Sequence, residues 1–263
     1  MSESYAGKIN RKLLKKRRII QAAAGREPAD LVLKNATYVN VFANQLCTAD
    51  IAVAEGLIVG MGTYSGVVEH DCTGKIVLPG FLDAHIHLES SLVSPREFVT
   101  AVLPHGINHR NPGVIPAAVE NKNVRAEIIC DGLHIHPAAV RMAFSMFGGE
   151  RMIIVSDSGR CAGQPDGTTF ELGGQMATLT DGVARLADGT IACSATNMYQ
   201  CLLNCISWGI PEEAVIRACT YNPACALGAQ DKVGSIETGK LADFVICNPD
   251  YTGRRVFIGG TEI

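Results

Sequence analysis

The sequence predicts an α/β protein in which strands from both chain ends form one sheet beside a central unit of alternating strands and helices. Three observations carry this. Between Asp30 and Leu78 the chain reads as short alternating or apolar strands, "DLVLKNATYVNVF", "DIAVAEGLIVGMG" and "KIVLP", separated by Gly, Asn and Asp without long helices. The C-terminal stretch "GSIETGKLADFVICNPDYTGRRVFIGGTEI" has the same texture. Between them, "AEIICDGLHI", "PAAVRMAFSMFG" and "RMIIVSDS" follow the strand, helix, strand rhythm of a parallel sheet. The expected division is residues 1–78, 79–232 and 233–263.

A chain of 263 residues is long enough for one large α/β domain or two modest ones. Its 47% hydrophobic and 19% charged content are ordinary for a globular protein, and a net charge of -3 gives no hint of a polyanionic partner. No nucleic-acid partner is expected. The ten cysteines lie scattered in apolar segments without a C-x-x-C pair, which points to reduced thiols in a cytoplasmic protein rather than disulfides or a structural zinc knot.

Taken in order, the first element is a helix. Seven Lys and Arg residues fall between Lys8 and Arg18, and Ile9, Leu13, Leu14 and Ile20 are spaced for one side of it. The basic stretch lacks the apolar core of a secretory signal, and no run approaches the roughly 18 apolar residues of a membrane span. No membrane partner is expected, and the cations read as a solvated face.

After the first strand group, "FLDAHIHL" reads as a buried strand. "SPREFVTAVLPHG" reads as a helix with Ser94 as N-cap and Pro95 at its first position. Residues 107–125 begin as a polar loop and continue as a short helix. The βαβ unit follows, then a Gly-rich loop over 159–174 and a hairpin, "QMATLTDGVARL", turning at Asp181-Gly182. Two helices, around Met198 to Trp208 and Pro211 to Ala218, precede the final strands.

Functional groups of parallel sheets gather at the carboxyl ends of strands. Here those ends carry His85 and His87, then Asp131 and His134, then Asp157. Two histidines at i and i+2 on a strand point to one side, so both imidazoles can reach one cation, and Asp83 lies on that side too. Taken alone, an H-x-H is as well explained by polar residues capping a strand.

The motif "PGFLDAHIHLESS" and the later "IIVSDS" resemble the metal-dependent amidohydrolase superfamily. That resemblance implies a TIM-like (β/α)8 hydrolase barrel with a small β-sandwich built from the N- and C-terminal segments, and hydrolysis of C–N bonds. Residues 1–106, with "GREPADLVLKNATYVNVF" and "PGFLDAHIHLESSLVSPREFVTAVLPHG", resemble the start of bacterial adenine deaminases. Residues 107–263, with "HRNPGVIPAAV", "CDGLHIHPAAVRMAF", "VSDSGRCAGQPDG", "DGVARLADGTIACSATNM" and "YNPACALG", resemble the end of N-acetylglucosamine-6-phosphate deacetylases.

The stretch from His87 to Asp157 is too short for six intervening βα units at roughly 30 residues each. The barrel expected is therefore incomplete, lacking strands 2–6. The resemblance makes Asp157 the catalytic aspartate and places His85, His87 and Asp157 as ligands of a divalent metal, zinc first, with manganese or iron as alternatives. It makes His134 and Arg110 substrate-binding, Arg110 by gripping a sugar phosphate across a homodimer interface. Glu89 would support the ligands. His105 and His109 take no assigned role, and Cys193 stands where the deacetylase pattern has glycine, as a tolerated substitution. Three functions stay open: deacetylation of an N-acetyl amino-sugar phosphate, which the longer part favours; adenine deamination; and a catalytically inactive truncated or fused chain.

Overall fold

The computed structural model describes residues 5–85 and 113–263, which form two compact units. One comprises the residues up to Phe81 together with Leu227–Ile263, and the other Leu82–Ala226.

The first unit starts with helix α1 (Tyr5–Ala23). Its buried contact is made by Ile19, Ala22 and Ala23 against Ala29, Val32, Ala52, Ala54 and Val59. The apolar residues singled out by spacing, Ile9, Leu13, Leu14 and Ile20, are instead 43% to 61% exposed. Small alanines let the helix end approach the sheet closely, which the bulkier residues on the other side would prevent. Arg18 ties the helix to the first strand by donating to the Pro28 carbonyl at 2.6 Å and to Asp30 at 2.7 Å.

The sheet of this unit contains β1 (Ala29–Asn40), β2 (Gln45–Ala54), β3 (Leu57–Gly62), β4 (Gly66–Asp71) and β5 (Ile76–Pro79) from the N-terminal part. The C-terminal part adds strands over Phe244–Cys247, Arg255–Ile258 and Thr261–Glu262, which pair in that order outward from β5. Antiparallel pairing of Ile76–Pro79 with Phe244–Cys247 joins the two chain ends, as the shared texture predicts. The β1–β2 register slips between Leu33 and Ala36, where Asn35 takes φ 54°. That bulge lets the Asn35 amide donate to Asp50 at 3.0 Å, while Lys34 forms an ion pair with the same carboxylate. Leu33, Ile51, Ile58, Val77, Phe244 and Phe257 fill the core beneath.

The second unit opens with α2 (Val114–Glu120), then β6 (Ala126–Ile129), α3 (Pro137–Phe147) and β7 (Met152–Val155). Strands β6 and β7 pair in parallel with α3 as the crossover, as the rhythm predicts. Helix α3 begins at His136, whose ring accepts from the Ala138 amide at 3.1 Å, with Pro137 at its first position. All four residues of β7 are buried, which suits a strand covered on both faces.

A four-stranded antiparallel sheet follows: β8 (Thr169–Leu172), β9 (Gln175–Thr180), β10 (Val183–Leu186) and β11 (Ile191–Ser194). The hairpin turns at Asp181 and Gly182 with φ of 51° and 77°, the left-handed pair of a two-residue turn. The stretch read as loop over 159–174 contains β8, because Phe170 and Leu172 join the cluster of Ala177, Leu179 and Ala184. Helices α4 (Met198–Ser207), α5 (Glu212–Cys219) and α6 (Tyr221–Ala226) complete the unit, α4 starting where Asn197 accepts from the Gln200 amide at 2.9 Å. The three C-terminal strands of the first unit are β12 (Phe244–Cys247), β13 (Arg255–Ile258) and β14 (Thr261–Glu262).

The α/β content agrees with the expected class, but no sheet among the described residues closes into a barrel. Closure needs about eight strands tilted round a common axis, and a single parallel pair cannot curve that far. The predicted strand "FLDAHIHL" is not formed over Phe81–His85, which make isolated backbone bonds rather than a ladder. The helix expected after Ser94 lies outside the described residues. All ten cysteines are free thiols in the structure, and eight of them are buried. No described helix is long and apolar enough to cross a membrane.

Candidate active site

Strand β7 sets the site. Directly after it, Ser156 and Asp157 are buried, and Asp157 takes φ 50°, a left-handed conformation uncommon outside glycine but tolerated by aspartate. Its backbone is held from two sides. The Asp157 amide donates to the His85 carbonyl at 3.2 Å, and its own carbonyl accepts from the Ser194 amide at 3.0 Å. These bonds aim a carboxylate only 1% exposed toward the imidazole of His85.

His85 stands between two acids. Its Nε2 lies 3.7 Å from Asp157 Oδ1, and its Nδ1 lies 3.2 Å from Glu127 Oε2 on β6. A carboxylate beside Nδ1 favours that nitrogen as the donor and orients the ring with Nε2 toward Asp157. Glu127 was not singled out from the sequence, since nothing in "AEIIC" marks it without knowledge that β6 lies beside His85.

Asp83 acts one step behind. It accepts from the His85 amide at 3.2 Å and the Ser156 amide at 3.3 Å, and it pairs with the Ser156 hydroxyl. Burial pushes its carboxyl above the usual range against these hydrogen bonds. Asp83 thus clamps the His85 segment to the end of β7 rather than pointing with the histidine toward a cation.

The second group sits after β6. Asp131 Oδ1 accepts from the Leu133 and His134 amides, both at 2.9 Å, and Oδ2 lies 2.6 Å from His134 Nδ1. Burial works to raise the Asp131 carboxyl, but its bonds from the His134 ring and the two amides outweigh it and hold the group below the carboxylate range. His134 Nε2 is buried with no hydrogen-bond partner among the described residues.

Of the residues expected from the sequence, Asp157 and His134 follow the ends of β7 and β6, His85 lies in a segment without strand pairing, and His85 and Asp157 are brought together. His87 and Arg110 lie outside the described residues, as do Glu89, His105 and His109. Cys193 is a core residue: its sulfur lies 3.9 Å from that of Cys161, within the cluster that includes Phe170 and Leu179. Among the described residues no group of three or more His, Cys, Asp or Glu side chains is set to hold one ion. The pair present nevertheless fits one. Two ligands each at about 2.0–2.2 Å from a zinc-type ion stand roughly 3–4 Å apart, which brackets the His85–Asp157 separation.

Over residues 127–263 the chain matches the amidohydrolase family, and it belongs to that family. Among curated relatives, it is 56% identical over 90 residues to an adenine deaminase of Ligilactobacillus salivarius, an overlap of 34% of this chain and 16% of that protein. It is 33% identical over 156 residues to an N-acetylglucosamine-6-phosphate deacetylase of Vibrio furnissii, covering 59% of this chain and 39% of the relative. The chain thus spans well under half of either relative. Among solved structures, the deacetylase of Pasteurella multocida aligns with a TM-score of 0.72 at 17% identity, over 89% of this chain and 99% of that one. The Mycobacterium smegmatis deacetylase gives 0.73 at 18%, over 89% and 100%. At such identity these likenesses speak for the fold.

Proposed function

We propose that this chain is a metal-dependent hydrolase of C–N bonds of the deacetylase type, releasing acetate from an N-acetylated amino-sugar phosphate. The observation that carries this is the approach of His85 Nε2 to the buried Asp157 carboxylate at the end of β7. His85, His87 and Asp157 would hold a divalent ion, zinc first. Such an ion, when bound, supplies Lewis acidity and makes water a usable nucleophile at neutral pH.

The chain's own residues then have distinct tasks. Asp157 takes a proton from the attacking water and hands it to the leaving nitrogen, general base and then general acid on one carboxylate. Glu127 and Asp83 hold His85 in place. His134 meets the substrate, and Arg110 grips its phosphate in a homodimer.

The test is elemental analysis of the purified protein after growth with added zinc, followed by assay of acetate release from N-acetylglucosamine 6-phosphate. About one ion per chain with turnover, lost by about 100-fold or more in Asp157→Asn, is the expected result. No metal and no turnover would sink the reading and leave an inactive truncated or fused chain.

A second reading, adenine deamination, is favoured by the 56% identity over 90 residues to an adenine deaminase. Ammonia release from adenine in the same preparation, without acetate release, would select it.

A further inference from the structure

The pair formed by Asp131 and His134 does more than close a turn. The carboxylate and the imidazole are 2% and 7% exposed, and Oδ2 and Nδ1 stand 2.6 Å apart. A carboxylate held below its usual range can only accept, so Nδ1 must carry the proton in this contact. The other ring nitrogen, Nε2, is buried and has no hydrogen-bond partner among the described residues. Buried polar atoms in native proteins are nearly always paired, so an imidazole nitrogen left open in this way calls for a partner that a ligand supplies.

We propose that Asp131 is a positioning residue: it locks His134 as the Nδ1–H imidazole and so reserves Nε2 as the atom offered to substrate. This rests on the amidohydrolase reading above for what the ligand is, but not for the lock itself. In the neutral form of the ring, Nε2 then accepts from a hydroxyl or amide N–H of the ligand. Without the carboxylate the ring could place its proton on either nitrogen, and the wrong choice would present a donor where an acceptor is needed.

The loop geometry makes the lock testable by one isosteric change. Oδ1 of Asp131 is engaged by two backbone amides, at Leu133 and His134. In Asp131→Asn those two donors capture the side-chain carbonyl oxygen, which turns the new NH2 toward Nδ1. An NH2 there can only donate, so Nδ1 must give up its proton and Nε2 must carry one. The substitution therefore inverts the tautomer.

The experiment is 15N NMR of the full chain labelled at histidine nitrogens, at alkaline pH, with the His134 signals assigned by their loss in His134→Gln. The expected result is a protonated Nδ1 and a pyridine-type Nε2 in the native protein, exchanged in Asp131→Asn, with both proteins folded by thermal unfolding. A native Nε2–H form, or the same form in both proteins, overturns the proposal. A merely structural Asp131 would change stability without moving the proton. Because no turnover is read, native protein that shows the exchange but releases neither acetate nor ammonia would count against the proposed function and leave the lock standing.

Discussion

Removing the Asp83 carboxylate should loosen the segment around His85 and Ser156 more than it harms the rest of the molecule. In Asp83→Ala three donors lose their acceptor: the His85 amide, the Ser156 amide and the Ser156 hydroxyl. Ser156 is buried, so its amide bears the full penalty of an unsatisfied donor, about 1–3 kcal/mol. The hydroxyl can rotate to another acceptor and the His85 amide is partly exposed, so the three together should cost about 2–4 kcal/mol. Asp83→Asn keeps a carbonyl for the amides and should cost well under half of that.

The pH dependence separates the two further. The Asp83 carboxyl is raised in the folded protein, so its favourable, protonated contribution is fully present below the ordinary value of about 3.9 and is lost as pH rises through the folded value. The native protein should therefore lose stability relative to Asp83→Asn over that window. Urea unfolding read by Trp208, the single tryptophan and a residue of the same unit, reports on this region. An Asp83→Ala protein within about 0.5 kcal/mol of native, or less stable with asparagine than with alanine, would refute the clamp.

Three further outcomes follow from the fold. Gly182→Val forces a β-branched residue to φ 77° in the hairpin turn and should cost about 1–2 kcal/mol by urea unfolding, with the β9–β10 amides losing exchange protection. Asn222→Ala removes bonds from Nδ2 to the Gly149 and Met152 carbonyls, both at 2.7 Å, inside the core; about 2–3 kcal/mol lost by the same measurement is expected. In the first unit, burial would raise the Asp50 carboxyl, but Lys34 and the Asn35 and Tyr64 amides outweigh it and hold it low. A depressed carboxyl stabilises above the ordinary value of about 3.9, and that stability is lost as pH falls through the folded value. Asp50→Asn should therefore flatten the acid limb of a stability profile followed by circular dichroism.

Local chemistry made several elements readable in the chain alone. The Asp181-Gly182 turn, the α3 start at His136-Pro137 and the β6–α3–β7 unit depend on residues close in sequence, whose backbone preferences act before any packing. The common texture of the two chain ends foretold their joining, because strands with one apolar face must share a core. The carboxyl-end placement of Asp157 and His134 came from the same rule of parallel sheets. Other features could not be read there. Ile9, Leu13, Leu14 and Ile20 have helical spacing, yet the helix buries Ile19, Ala22 and Ala23, because the choice of face depends on how closely the sheet can approach. Strand β8 was hidden by its glycines until Phe170 and Leu172 found the β9 cluster.

The sequence by itself marked out candidate groups: Asp131 and Asp157 follow the ends of β6 and β7, where backbone pairing stops. Only the tertiary structure decided how they act. Glu127 meets His85 from 42 residues away, and Asp83 grips Ser156 across 73. Contacts of such separation leave no trace in local spacing, since they exist only once the segment around Asp83 and His85 packs against β6 and the end of β7.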